Sequence, residues 1–416
     1  MRATFALMTL CALPQTPRPW TDLLAEAGDT RAPAEVVAEM RAVMRLPVGA
    51  RVAVAMSGGV DSSAVAALLV EAGYEVFGLT ARLYDVDPAM IGRAGTCCAP
   101  EDARDARSVA WSLGIRHYTL DEREVFARAV IDRFVADYDR GDTPNPCVEC
   151  NRTLKFEVLV QEARALGAQA LATGHYACLD LDADGQPELR RGADPQKDQS
   201  YFLHPLTADV GAFVRFPLGS WHKTQVRGHA ARLGVPTAEK RESMDVCFVA
   251  ASTPRDFVAG QRGARPGAIV DLAGTQLGRH AGIAGFAVGQ RHGLGLPPQK
   301  PEASPLFVVD KRPDGTIVVG PHEALRATRV QLRNLSWIGA PPAVGTELGL
   351  QVRHRGKPVA ARIQESADGV VTLTVLGELF AAGRGQSGVL YDGDRVLGGG
   401  IIAAATQVSG ETEAVA

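Results

Sequence analysis

Val52-Ala-Val-Ala-Met-Ser-Gly-Gly-Val-Asp-Ser-Ser63 joins two different patterns within twelve residues. Val52 to Met56 is a short run of β-branched and small apolar residues, the pattern of a strand buried on both faces of a parallel sheet. From Asp61 the chain reads Asp-Ser-Ser-Ala-Val-Ala-Ala-Leu-Leu-Val-Glu-Ala72, a strong helix former stopped by Gly73. Ser57, Gly58 and Gly59 lie between. A strand, a glycine-rich turn and a helix N-terminus together make an anion site, because the backbone N–H groups can close on an oxyanion and the helix dipole favours negative charge there. No GxxxxGK[ST] occurs, so this is not the Walker phosphate loop.

Ser57-Gly-Gly-Val-Asp-Ser-Ser63 resembles the PP-loop of ATP pyrophosphatases, which split ATP into AMP and pyrophosphate. The competing reading is a tight strand-to-helix turn that binds nothing. Downstream, strand and helix keep alternating. Glu75–Leu83 reads as a second strand, Pro100–Leu113 as a helix with proline at its start, and Ile115–Leu120 as a third strand. Glu122–Tyr138 reads as a long amphipathic helix and Ala168–Tyr176 as a fourth strand. This order predicts an α/β, doubly wound parallel sheet with ligands at the carboxyl ends of its strands. The unusual residues fall at those ends: Met56-Ser57, Arg82-Leu83 and Thr173-Gly174-His175-Tyr176.

At 416 residues and 46% hydrophobic, the chain has material for two or three domains. No apolar run reaches the length of a membrane span. Residues 3–14 are apolar behind Arg2 but lack a small-residue cleavage site. Residues 1–46 are therefore expected to be an extension, disordered or an overlong start, with Met40 or Met44 as alternative first residues. Seven cysteines, two of them adjacent, suit a reducing cytoplasm in which thiols do chemistry. The net charge of −3 conceals an uneven distribution. Residues 1–189 carry 18 Lys/Arg against 27 Asp/Glu, residues 190–362 carry 24 against 13, and the remainder 2 against 7. A basic middle between acidic flanks suits a polyanionic partner; the alternative is ordinary fluctuation of solvated charge.

Before the fourth strand lies Gly141-Asp-Thr-Pro-Asn-Pro-Cys-Val-Glu-Cys-Asn-Arg152, with Cys147 and Cys150 where a helix Arg152–Leu166 is expected to begin. A thiol at a helix N-terminus has its thiolate favoured by the dipole. A CxxC pair alone fits a redox couple, half a zinc site or chance. Cys247 follows about a hundred residues later, at the end of a strand-like run in Asp245-Val-Cys-Phe-Val249.

Pro-Asn-Pro-x-x-x-Cys-Asn (144–151), Ala-Thr-Gly-His-Tyr (172–176), Lys-Asp-Gln-Ser-Tyr-Phe-Leu (197–203) and Asp-Val-Cys-Phe (245–248) occur in that order. Val-Gly-Gln-Arg-His-Gly-Leu-Gly (288–295) and Gly-Gln-Ser (385–387) follow. With the loop at 57–63, these motifs resemble the tRNA-specific 2-thiouridylases, the MnmA/TrmU family, from about Arg51 to Ala403. The resemblance implies ATP at Ala55, Met56, Ser57, Gly58, Gly59, Val60, Asp61 and Ser62, and at Ala81 and Gly174. It implies that Asn145, Pro146 and Cys147 lie against the target base and that His175, Lys197, Asp198, Gln199, Arg353, His354 and Gln386 contact tRNA. It makes Cys150 catalytic and Cys247 the persulfide carrier. Some relatives carry Asp where this chain has Cys147. The implied reaction converts the uridine C2 oxygen to a leaving group by adenylation, with Mg²⁺ assisting, and a persulfide on Cys247 then attacks C2. Cys150 either reduces the persulfide to release sulfide or ends in a disulfide with Cys247. The implied partners are tRNA and a persulfide-donating protein, and the implied state is a monomer.

Domain limits are expected at 47–205 for the ATP-binding domain, 206–325 for a central tRNA-binding or linking domain, 326–404 for a C-terminal β-barrel and 405–416 for a disordered tail. In the central region, Lys223, Arg227 and Arg232 along a helix His222–Leu233 read either as an RNA-facing or as a solvated face. Pro305–Gly320 is a hairpin about Pro-Asp-Gly. Short strands at Val330–Trp337, Leu348–His354, Val370–Leu376, Ser387–Tyr391 and Val396–Ile402 suggest a small antiparallel barrel, with Arg353, Arg355 and Lys357 on phosphates. Three other readings stand. A different PP-loop ligase would have no use for Cys150 and Cys247. A [4Fe-4S] thiolase would use Cys147, Cys150 and Cys247 as ligands. A non-catalytic RNA- or metal-binding protein would involve Cys97 and Cys98, which read better as bystanders, while Cys11 and Cys178 read as structural.

Overall fold

A computed structural model describes residues 19–84, 100–242, 246–249, 253–297 and 304–407. Four strands, β1 (Arg51–Ala55), β2 (Glu75–Arg82), β3 (Arg116–Asp121) and β4 (Ala170–Thr173), form a parallel sheet with the short strand Val214–Arg215 at its edge. The order is β3-β2-β1-β4 and then Val214–Arg215. β1 is flanked by β2 on one side and β4 on the other, so the winding direction reverses beside it. A reversal of this kind opens a crevice at the carboxyl ends of the two strands. Ser57–Gly59 and Gly174 emerge there.

The helix Val60–Glu71 is buried on nearly every side, with Val60 and Ser62 to Leu69 all inside. A helix that is apolar all round needs cover on both faces. One face packs on the sheet; the other is covered by two helices, Pro33–Met44 and Lys223–Arg232. Val36, Met40 and Met44 are fully buried in this core. The Met44 carbonyl accepts from Arg215 Nε at 3.0 Å, and buried Asp29 meets His229 Nε2 at 3.1 Å. Residues 19–46 therefore belong to the folded body, contrary to the expected extension, and a chain begun at Met40 or Met44 would strip this core of one wall. Residues 1–18 lie outside the described residues.

The expected boundary at 206 also moves. Val214–Arg215 completes the parallel sheet and Lys223–Arg232 packs on the helix Val60–Glu71, with Val235 and Ala238 in the same core, so the first domain continues well past 206. The central unit is a four-stranded sheet in the order Phe307–Lys311, Ile317–Gly320, Gly267–Val270, Gln276–His280, and it contains the expected hairpin. Six antiparallel strands then close into a barrel: Arg326–Trp337, Glu347–Gln351, Val359–Ala367, Val370–Phe380, Ser387–Asp392 and Arg395–Gln407. Val359–Ala367 was not foreseen because it is half exposed, with only Ala361 and Ile363 inside. The last strand runs to Gln407, into the expected tail; residues beyond it are outside the description. A hairpin from the first domain, Ala177–Leu181 and Pro187–Arg191, pairs with that last strand, and Val389, Tyr391 and Val396 share a core with β1, β2 and β4. No helix among the described residues is long and apolar enough to cross a membrane.

Candidate active site

The loop after β1 is held by its own serines. Ser57 N–H donates to Ser62 Oγ at 3.1 Å, and Ser63 Oγ donates to the Gly59 carbonyl at 2.8 Å. Gly58 has φ +71°, and a Cβ there would stand 2.1 Å from the Asp102 carbonyl oxygen. Gly174, after β4, leaves 2.8 Å between its own absent Cβ and Ser62 N. Only glycine permits either approach. The sequence-predicted nucleotide residues Ala55–Ser62 and Gly174 thus meet in space. Ala81 lies at the end of neighbouring β2, and Met56 turns its side chain inward, at 2% exposure.

Asp61 is partly exposed but fully engaged. Lys223 Nζ reaches its two carboxylate oxygens at 2.7 and 2.8 Å, and Tyr176 OH donates to Oδ1 at 2.7 Å. Burial and the Asp61 charge push the Tyr176 hydroxyl far above its ordinary pKa, so it stays a donor. Lys223 also bonds Glu242 Oε1 at 2.8 Å, while Lys197 pairs with Glu242 Oε2. Burial alone would raise the Glu242 carboxyl, but hydrogen bonds from Lys197 and Lys223 outweigh it and bring the pKa to about 2. Lys240 Nζ donates to the Gly58 carbonyl at 3.0 Å and pairs with Asp102 and Asp105. Lys223, Lys240 and Glu242 were not singled out for this site from the sequence, and Tyr176 was noted at the end of the fourth strand without a role. The only signals were that Tyr176 closes Ala-Thr-Gly-His-Tyr and that Lys240 and Glu242 stand shortly before Cys247. The reading of helix 222–233 as an RNA-facing or solvated face is corrected with them: Lys223 serves Asp61, Arg227 bonds the Ala238 and Lys240 carbonyls, and Arg232 pairs with Glu71.

The CxxC segment is helical earlier than expected. The helix starts at Pro146, behind Asn145, and passes through a π-helical stretch at Cys150–Val158. Cys147 is therefore exposed on the first turn, and Cys150 lies farther in. Cys247 sits in a turn, not at the end of a strand. Its carbonyl accepts from Tyr84 OH at 3.1 Å, and Phe248 beside it packs edge-on against Phe126 and Phe134. Cys150 and Cys247 both pack on one apolar cluster of Leu83, Phe126, Val130 and Leu154, which Ala81 also touches. Two cysteines 97 positions apart thus pack on the same cluster beside the strand end next to the nucleotide loop. Cys147 faces outward instead. Among the described residues no three His, Cys, Asp or Glu side chains converge on a metal-ion position. Cys178 is half-buried, and burial raises its thiol pKa. Cys11, Cys97 and Cys98 lie outside the described residues.

The residues expected on tRNA divide. His175 is buried, its ring nitrogens meeting Thr173 Oγ1 at 2.7 Å and Lys155 Nζ at 3.0 Å; burial and then Lys155 hold it neutral. Asp198 spends its carboxylate on Arg191, Gly192 N–H and Ser200, and Gln199 accepts from Tyr176 N–H. In this conformation His175 and the Asp198 carboxylate serve the interior rather than a ligand surface. The backbone of 198 does meet the barrel: His354 lies 3.4 Å from the Asp198 carbonyl and packs at a tilt against Phe202, ring centroids 4.5 Å apart. Arg353, Arg355 and Lys357 are exposed on the same loop. Gln386 donates to the Thr143 carbonyl at 2.7 Å, beside a cavity lined by Arg133, Asn145, Pro146, Glu149 and Gly385. The 197–199, 353–357 and 386 segments thus gather around the first domain's loops.

Comparison with known proteins follows the same three units. Residues 50–251 match the family model described as tRNA methyl transferase HUP domain, 255–321 the tRNA methyl transferase PRC-barrel domain, and 327–402 the aminomethyltransferase beta-barrel domain. The chain is 45% identical over 365 residues to a tRNA-specific 2-thiouridylase MnmA of Rhodospirillum centenum, covering 86% of this chain and 93% of the relative. The namesake of Magnetococcus marinus is 46% identical, covering 85% and 98%, and that of Caulobacter vibrioides 46%, covering 88% and 98%. Identity of this depth, sustained through the nucleotide-binding sheet, the central sheet and the barrel, makes this chain a member of the tRNA-specific 2-thiouridylase family.

Proposed function

We propose that this enzyme replaces the C2 oxygen of the wobble uridine in tRNA with sulfur, at the expense of ATP and with Cys247 and Cys150 as the working thiols. The observation that carries this reading is the shared apolar cluster of Cys150 and Cys247 against Ala81, one strand away from the glycine loop. A PP-loop ligase of another kind needs no such pair.

The uracil O2 attacks the α-phosphorus. An O–P bond forms as the bond to the β-phosphate bridge breaks, pyrophosphate leaves with the electron pair, and the N3 proton goes to solvent. The N–H groups of Gly58–Val60 and the first helical turn would face the departing charge, where fixed dipoles act without reorganising. Mg²⁺ bound with the triphosphate would supply further neutralisation. Magnesium is usually held by one or two carboxylates plus phosphates, and Asp61 is the carboxylate at the loop. The terminal sulfur of a Cys247 persulfide then attacks C2 and AMP leaves. The Cys150 thiolate attacks Cys247 Sγ, the S–S bond breaks, and sulfur remains on C2 as the two cysteines form a disulfide. An external dithiol must reduce that disulfide, and a persulfide-donating protein must reload Cys247, before the next turnover.

Nucleoside analysis tests this. Expression in a bacterial strain lacking 2-thiouridine should restore it in bulk tRNA, and Cys247→Ser should not. A strain still without 2-thiouridine, with the folded protein present, would refute the reading.

A further inference from the structure

We propose that Lys155 holds a phosphoryl oxygen at the reacting centre, with His175 as its positioning residue. The inference rests on the proposed function only for which phosphates come there. Lys155 lies five positions after Cys150 on the helix that begins at Pro146. Its side chain reaches the end of β4, where Nζ meets His175 Nε2 at 3.0 Å. His175 follows Gly174, which leaves no room for a Cβ against Ser62 N, and Thr173 pairs with Ala55 in register. The ammonium therefore stands at the strand end that touches the glycine loop, on the element that carries Cys150.

The imidazole can play only one part in this contact. An ammonium has three donors and no acceptor, so Nε2 offers its lone pair and the ring proton sits on Nδ1. Nδ1–H then donates to Thr173 Oγ1 at 2.7 Å. Burial, and then the Lys155 charge, hold the ring neutral. Phe216 packs edge-on against it, centroids 5.5 Å apart. The lysine is thus fixed by an acceptor that does not cancel its charge. Lys197, Lys223 and Lys240 all spend theirs on carboxylates. Lys155 has no carboxylate partner among the described residues and is partly exposed. Arg152, three positions earlier on the same helix, repeats the pattern. Its Nε and Nη2 are shielded without a hydrogen-bond partner, and burial followed by the Arg152 charge brings the His204 pKa down to about 3. Two cations left unneutralised just behind Cys150 call for an anionic ligand. Lysine binds phosphate as a point charge. Two phosphates come to this strand end in the proposed reaction, the α-phosphoryl group of ATP and the backbone phosphate of the target nucleotide.

The test measures two affinities of the full chain: for α,β-methylene ATP with Mg²⁺ by calorimetry, and for a tRNA transcript by fluorescence anisotropy over a range of salt. Lys155→Met should lose at least about tenfold in one of them, the worth of a charge-assisted bond. Loss for the nucleotide assigns the α-phosphoryl group. Loss for tRNA, with the slope of log K against log salt reduced by about one, assigns the backbone phosphate. Lys155→Gln can still donate to His175 and should lose as much, which ties the loss to the charge rather than to the fold. His175→Leu should weaken the same affinity, and His175→Gln, whose amide oxygen can take the place of Nε2, should keep it. In the Lys155→Met background His175→Leu should add nothing. A folded Lys155→Met that binds both ligands within about threefold of wild type would overturn the proposal. Additive losses in the double variant would overturn the part given to His175. A wild type that binds neither ligand would overturn the functional reading and the proposal with it.

Discussion

Cys147, Cys150 and Cys247 can be separated by chemistry. Cys147 is exposed on the first helical turn, whereas the other two pack on a common cluster. In thiolation of a tRNA transcript with a persulfide donor, anaerobically and without iron, Cys150→Ser and Cys247→Ser should be inactive and Cys147→Asp substantially active. Equal loss in all three would favour a three-thiolate site. Lys311 gives a different test. Its side chain is buried, bonded to the Asp142 carbonyl at 3.1 Å and Thr143 Oγ1 at 3.2 Å, and burial pulls its pKa down to about 7. Between pH 7 and the ordinary lysine range the unfolded chain holds the extra proton, so this group adds stability as pH rises through that window and adds none below it. The stability difference between wild type and Lys311→Met should therefore shift towards wild type from pH 6 to pH 10, by up to about 4 kcal/mol. A flat difference in denaturant melts would show that Lys311 titrates normally.

Among the elements, the glycine loop and the helix behind it respond differently to substitution. Gly58→Ala places a Cβ on the Asp102 carbonyl at positive φ, so the loop must move. Misplacement on the order of 1 Å costs about a hundredfold in rate, and pyrophosphate release should fall by that much while tRNA still binds. Met40→Ala should leave the chemistry of the folded enzyme alone but cost about 2–5 kcal/mol in chemical denaturation, as for other deep core truncations. The strand–loop–helix unit was legible because its pattern is local: a β-branched run, two glycines, then helix formers. The cover supplied by residues 33–44 was not read, although the helix Asp61–Ala72 is apolar all round and so called for a second packing surface. The start of the CxxC helix was placed six residues late, at Arg152, although Pro146 is a favoured first helical residue.

Across the whole molecule, the parallel sheet followed from the alternation of strand and helix, the barrel from its run of short strands, and the ordered motifs led to the family. The ionic network at the loop did not, because Lys197, Lys223, Lys240 and Glu242 are ordinary surface residue types until folding sets them beside Asp61. The basic middle is correspondingly less available than its charge count implied, since many of its cations pair internally. Exposed Arg353, Arg355 and Lys357 carry the expectation instead. Phosphate contacts release counterions, so tRNA affinity should fall steeply with salt, and Arg353→Ala should reduce the slope of log K against log salt by about one. An unchanged slope would put the RNA elsewhere.

The proposed reaction requires adenylation and sulfur transfer by one chain. A single-turnover reaction should hold the purified protein with Cys247 loaded as persulfide, an unmodified tRNA transcript and α-labelled ATP, and count AMP released and 2-thiouridine formed. The site described here predicts one AMP per 2-thiouridine, no 2-thiouridine without ATP, and a Cys150–Cys247 disulfide at the end. AMP released without 2-thiouridine, or sulfur incorporated without ATP, would contradict it.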